Sequence, residues 1–280
     1  WGTRGDRDTQ FDNPYGVSID LSENIYVADT FNHSIKKYDS NGNFITLWGS
    51  NGTEDGQFNN PFRVTIDNTG NVYVADTLNN RIQKFSSEGA FITKWGIKGS
   101  KEGEFNNPFG IALDNSGNIY VADTFNHAIQ KFSSEGKFIT RWVSGERENF
   151  HFRFPRGLAI DNSGYLYVVD WENHFIHKFD LEGNFITKWG GQGSEEGKLS
   201  NPFGVSLDGL GNVYVADWDN HRIQKFDPSG KFIARWGERG IEEGQFTRPG
   251  GVAVDCKGNV YVADTGNHRI QKFGLIMSID

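Results

Sequence analysis

Pro14, Pro61, Pro108, Pro155, Pro202 and Pro249 each stand 47 residues from the next. The aspartates that close the "VAD"-like runs, Asp29, Asp76, Asp123, Asp170, Asp217 and Asp264, keep the same interval. Between these markers one motif recurs six times, as in "GNIYVADTFNHAIQKF" (117–132) and "GNVYVADWDNHRIQKF" (211–226). Six such units fill the 280 residues, so 1–280 reads as one domain whose repeats start at the six prolines. A repeat this regular constrains the fold more than any other feature. Each unit must be a small structural module that buries its apolar surface against its own copies.

The third unit divides into "GIALD" (110–114), "IYVAD" (119–123), "AIQKF" (128–132) and "KFITRW" (137–142), separated by "NSGN", "TFNH" and "SSEG". Short β-branched and aromatic runs between Gly- and Asn-rich turns predict four antiparallel strands. No stretch sustains a helical period, which excludes a helical array of similar repeat length. Side chains alternate along a strand, so Ile119 and Val121 face one way and Tyr120 and Ala122 the other. Both faces need covering. Six sheets with two apolar faces each are satisfied by stacking around an axis, which makes the fold class an all-β, six-bladed β-propeller.

The stretch "NPFGIALDNSGNIYVADTFNHAIQKF" (107–132) resembles the NHL repeat, in register six times, with Ile in several units where the family name has Leu. The resemblance implies a six-bladed propeller. For function it implies RNA binding, protein binding or, in distant relatives, catalysis. Counting on from Phe273 puts the missing tryptophan of the sixth unit at Trp1, so the N-terminal strand is expected to complete the last blade. "GLIMSID" (274–280) has lost the pattern, and the chain opens on "WG". This reads as a monomeric domain of a longer protein.

Net charge is −8, from 28 Lys and Arg against 36 Asp and Glu, which disfavours broad capture of nucleic acid or anionic membrane. No apolar run approaches the length of a membrane span. Cys256 is the one cysteine, so no intrachain disulfide forms and the compartment is left open. The aspartates of the "VAD" runs are expected to tie down the amides of the following turn. His33, His127, His174, His221 and His268 open the third strand out from the axis, too far apart to share a metal. Asp20, Asp67, Asp114, Asp161, Asp208 and Asp255 end the innermost strand and are expected to form turns rather than a cation cage. No cofactor, metal or catalytic set is implied.

If shared residues build the blades, function belongs where one copy departs from the others. Antiparallel strands place the starts of the inner strands, the ends of the second strands and the loops between blades on one face, termed upper here. There, five units carry Gly after the aromatic position, while the second carries Arg63. The fourth unit has Arg156 where four siblings have Tyr or Phe. The Thr after "VAD" becomes Trp171 and Trp218 in units four and five. The loop "ERENFHFRF" (146–154) places Phe150, His151 and Arg153 on the surface before unit four. Arg156 and Trp171 lie in neighbouring strands, within reach of a cation–π contact. The expected ligand-binding residues are thus Arg63, His151, Arg153, Arg156, Trp171 and Trp218. They form an aromatic and basic patch expected to recognise a protein, peptide or other ligand without catalysis; the structural alternative is drift between copies, with Trp171 and Trp218 packing between blades. The alternatives are single-stranded RNA, using the same arginines and tryptophans, and a metal-dependent lyase or hydrolase. Against RNA stand the acidic loops "TEDG", "KEGE", "SEEG" and "IEEG" on the same face.

Overall fold

The computed structural model describes residues 1–143 and 150–274; part of the 146–154 loop and nearly all of 274–280 lie outside these. Five four-stranded antiparallel sheets and one three-stranded sheet follow one another in chain order. Strands are lettered a to d from the axis outward. In blade three they are Pro108–Leu113, Ile119–Asp123, Ala128–Phe132 and Phe138–Val143. Strands b and c coincide with the runs read from the sequence; strand a begins two residues earlier, at the proline.

Each inner strand packs against the inner strand of the next blade, and that of blade six against that of blade one, so the ring is closed. Six apolar clusters fill the six interfaces. Between blades one and two, for instance, Tyr26, Ala28 and Ile35 meet Phe58, Val64, Val74 and Phe85. Between blades six and one, Tyr261, Ala263 and Ile270 meet Phe11, Val17, Val27 and Tyr38. All five residues of "IYVAD" at 119–123 are buried. That is the expected consequence of a sheet with two apolar faces, each buried aliphatic side chain contributing about 1.5–3 kcal/mol.

Blade six differs from the expectation at its edge. Its sheet contains only Val252–Val254, Val260–Asp264 and Arg269–Phe273. No fourth strand forms there among the described residues. What remains is one residue pair: the Trp1 ammonium donates to the Ile270 carbonyl (2.7 Å), and the Ile270 amide donates to the Trp1 carbonyl (2.8 Å). Ile223 pairs with Trp236 in the same way in blade five. The counted position of Trp1 is met at this single rung, and the expected N-terminal strand does not complete the sheet among the described residues.

Candidate binding site at the upper face and axis

The repeated polar residues form the joints of the ring. In every blade the aspartate ending strand b accepts, through Oδ1, a backbone N–H from the preceding inter-blade loop. The donors are Asp12, Asn59, Asn106, Arg153, Ser200 and Thr247, at 2.7–2.8 Å. Oδ2 accepts from the Asn of its own b–c turn, as Asn126 Nδ2 does for Asp123 at 2.8 Å. The sequence reading assigned these aspartates to the following turn's free amides; the amide they hold belongs to a loop seventeen residues earlier. In five blades the b–c turn is a single 3₁₀ turn followed by a left-handed residue, as at His127 (φ 51°); in blade four it is a plain turn ending at left-handed His174 (φ 61°). That conformation swings the imidazole toward the next blade. There Nδ1 of His33, His127, His174, His221 and His268 accepts the N–H of the residue before the next proline, at 2.9–3.2 Å. Asn80 Oδ1 does the same in blade two. Thr30, Thr77, Thr124 and Thr265 donate to the carbonyls of Pro61, Pro108, Pro155 and Pro14, each at 2.7 Å. At the lower face, Asp114 accepts the Ser116 and Asn118 amides, Asn118 Nδ2 and the Tyr120 hydroxyl, closing the a–b turn. Among the described residues no group of three or more His, Cys, Asp or Glu is placed to hold a metal ion.

The axis combines an aromatic position that four units share with residues that differ. Tyr15, Phe62, Phe109 and Phe203 start the inner strands of four blades, and their rings meet over the channel. Their centroids are 4.6 Å (Tyr15–Phe62), 4.3 Å (Phe62–Phe109), 6.1 Å (Phe109–Phe203) and 5.2 Å (Tyr15–Phe203) apart. This aromatic lid closes the upper mouth. Trp218 extends it outward, stacked on Phe203 (4.9 Å, 25°) and on Tyr15 (5.6 Å, 9°). Arg156 completes the lid at blade four. Its Cζ lies 3.7 Å from the Trp171 ring centre, 4.5 Å from Phe203 and 4.9 Å from Phe109. Arg156 and Trp171 are thus in the contact their strand positions implied. Burial lowers the Arg156 guanidinium to about 10.

Sequence reasoning passed over one member of this group. Phe154 replaces an asparagine present in four siblings, and its backbone is left-handed (φ 61°), a conformation that asparagine tolerates far better than phenylalanine. The strained residue places its ring against Phe125 (5.1 Å), His127 (4.7 Å) and Trp171 (6.3 Å). An aromatic strip therefore runs from Phe125 at the rim of blade three, through Phe154 and Trp171, to Arg156 and the lid. Phe125 is 46% exposed, and Phe31 and Leu78 take the same turn position in blades one and two at 44% and 43%.

Two expected surface residues lie elsewhere. Phe150 is buried against Phe152 and Phe179, so it belongs to the core between blades three and four. Arg63 lies beneath the lid instead of on the face. It reaches across the channel and donates from Nη2 to the Val205 carbonyl of the opposite blade (3.2 Å). It lines both the small crevice under the lid rings and the channel below, and burial lowers it to about 10. His151 and Arg153 are exposed at the rim between blades three and four, where Arg153 pairs with Glu172 at 2.7 Å. The structure therefore brings Arg156, Trp171 and Trp218 into one assembly, sets His151 and Arg153 at its edge, and puts Arg63 below it.

No curated protein matches the chain. Among solved structures, the fold resembles virginiamycin B lyase from Staphylococcus aureus (15% identity, TM-score 0.64, covering 98% of this chain and 87% of that one). It also resembles a structural genomics protein of unknown function from Bacteroides thetaiotaomicron (15% identity, TM-score 0.75, covering 98% and 74%). A third likeness is to a chain of a nidogen–laminin complex (20% identity, TM-score 0.63, covering 81% of each). At these identities the likeness speaks of the fold alone. The NHL repeat model matches five units, at residues 58–85, 105–132, 152–179, 199–226 and 246–273, together half of the chain. The chain is a member of the NHL-repeat family.

Proposed function

We propose that this propeller is a non-catalytic binding module that recognises a protein or peptide on its upper face. The observation carrying this reading is the strip Phe125–Phe154–Trp171–Arg156, continued by Trp218. Apart from Phe125, which Phe31 repeats in blade one, it is assembled from residues in which units four and five depart from their siblings. One member, Phe154, is held there in a strained backbone conformation, and such strain gathers at functional positions. Trp and Arg are also favoured anchors of protein interfaces. The nidogen–laminin complex offers an example of a similar fold solved within a protein–protein assembly. An RNA strand would find few free phosphate partners here: Arg63 and Arg156 lie under or between rings, and Arg153 already has Glu172.

The test is selection from a displayed peptide library. Peptides recovered on the protein should bind in solution, and Trp171→Thr with Trp218→Thr should weaken them by roughly tenfold or more, the worth of one or two interface anchors. Recovered peptides indifferent to both substitutions would place recognition elsewhere.

A further inference from the structure

The three arginines that open strand c are saturated, whereas Arg156 leaves its Nε unpaired but lies between aromatic rings. Arg81 donates Nε to Asp76 (2.6 Å), Nη1 to the Thr53 carbonyl (2.7 Å) and Nη2 to the carbonyls of Glu54 and Gln57 (2.8 and 2.9 Å). Arg222 and Arg269 repeat that pattern in blades five and six. Arg63 does not. Its one protein acceptor is Val205 O, its buried Nε has none, and no carboxylate of the described residues pairs with it. It is also the single exception in a layer otherwise made of Gly16, Gly110, Gly157, Gly204 and Gly251. There a Cβ on Gly157 would come within 2.7 Å of the Phe203 carbonyl. A side chain in this layer can only project along the channel.

The channel below Arg63 is a cavity of about 580 Å³, within the ordinary range for small-ligand sites. It is blind at the top under the aromatic lid and opens on the lower face, about 13 Å away by the four-residue rise from Arg63 to Asp67. Hydroxyls of Thr65 and Ser206 and the apolar Ile66, Leu113, Ile160 and Leu207 line it. Asp67, Asp114 and Lys84 stand at its mouth. An unpaired guanidinium at the end of a narrow cavity calls for an anion. Ile66, Leu113, Ile160 and Leu207 give a short carbon body apolar contact between the hydroxyls, and the two carboxylates outnumber Lys84 at the mouth and disfavour multiply charged anions.

We infer that the axial channel binds a small organic monocarboxylate, its carboxylate on Arg63 and its apolar body along the channel toward the lower face. This site is on the opposite side of the lid from the peptide surface and does not depend on it.

Octanoate is the probe, measured by titration calorimetry on the whole chain. It should bind saturably to the wild type, whereas octanol and octylamine should bind far more weakly. Arg63→Gly installs the residue that five siblings carry, so the variant should fold with an unchanged melting profile. It should weaken octanoate by roughly 10- to 100-fold, the worth of a charge-assisted hydrogen bond. Arg63→Lys should retain part of the affinity, and Trp171→Thr with Trp218→Thr all of it. Absence of octanoate binding to the wild type overturns the inference. So does equal binding to Arg63→Gly, or octanol binding as tightly as octanoate.

Discussion

Replacing Trp171 by Thr asks whether the strip is part of the scaffold or is mounted on it. Four blades have Thr at this position, and each hydroxyl donates to the next blade's proline carbonyl at 2.7 Å. In blade four Trp171 has no hydroxyl to donate to the corresponding carbonyl of Pro202, and its indole Nε1–H makes no hydrogen bond. The substitution removes the 3.7 Å stack on Arg156, about 0.5–2 kcal/mol. It also removes the edge contact with Phe154, another 0.5–1.5 kcal/mol or so. In return it restores the inter-blade hydrogen bond, worth about 0.5–1.5 kcal/mol. The net loss should be about 1 kcal/mol and below about 3 kcal/mol in urea denaturation, with the slope unchanged. A double-mutant cycle with Arg156→Gln should return a coupling of about 0.5–2 kcal/mol. A loss above about 4 kcal/mol, the cost of emptying a core aromatic site, would refute the reasoning. A coupling of zero would refute the stacking.

His33, His221 and His268 make stability fall on the acid side. Each accepts a backbone N–H through Nδ1, a bond that only the neutral imidazole can make. Burial holds His33, His221 and His268 below the ordinary imidazole value of 6.5. Above that value they are neutral folded or unfolded; below it the unfolded chain takes up protons that the folded chain resists. Stability should therefore drop as pH falls from about 6.5, by up to about 1.4 kcal/mol per unit for each histidine. Changing all three to Asn, which Asn80 shows can make the same bond, should flatten that slope relative to wild type in melting curves from pH 7 to 5. In the polar joints, Asp76→Ala should cost about 3–5 kcal/mol by leaving the Arg81 guanidinium buried without its partner. The double variant with Arg81→Met should recover much of that loss in the same denaturation assay.

The fold was legible because a strict period of 47 places every strand and turn six times, and alternation within "IYVAD" already demands cover on both sides. The joints were less legible. The partners of Asp123 and His127, the amides of Asn106 and Phe154, lie seventeen residues before and twenty-seven after them. Only the closed ring brings such pairs together. Comparing copies found Arg156, Trp171 and Trp218, since a departure from the residue type that four siblings share is visible in one dimension. It could not give depth, and Arg63 went under the lid although its neighbour Phe62 forms the lid. Phe150 looked like a surface departure, yet its ring fills the core beside Phe152 and Phe179. Phe154 could have been found: asparagine at that position in four units signals a left-handed residue, so a phenylalanine there is costly.

Hydrogen–deuterium exchange on the protein with a selected peptide bound would locate recognition most directly. Slowed exchange should be confined to 124–127, 151–157, 171–174 and 218–220, the segments that carry the strip and the lid. Protection of the lower-face turns, such as 115–118, or of the outermost strands, with those segments unchanged, would contradict a peptide-binding upper face.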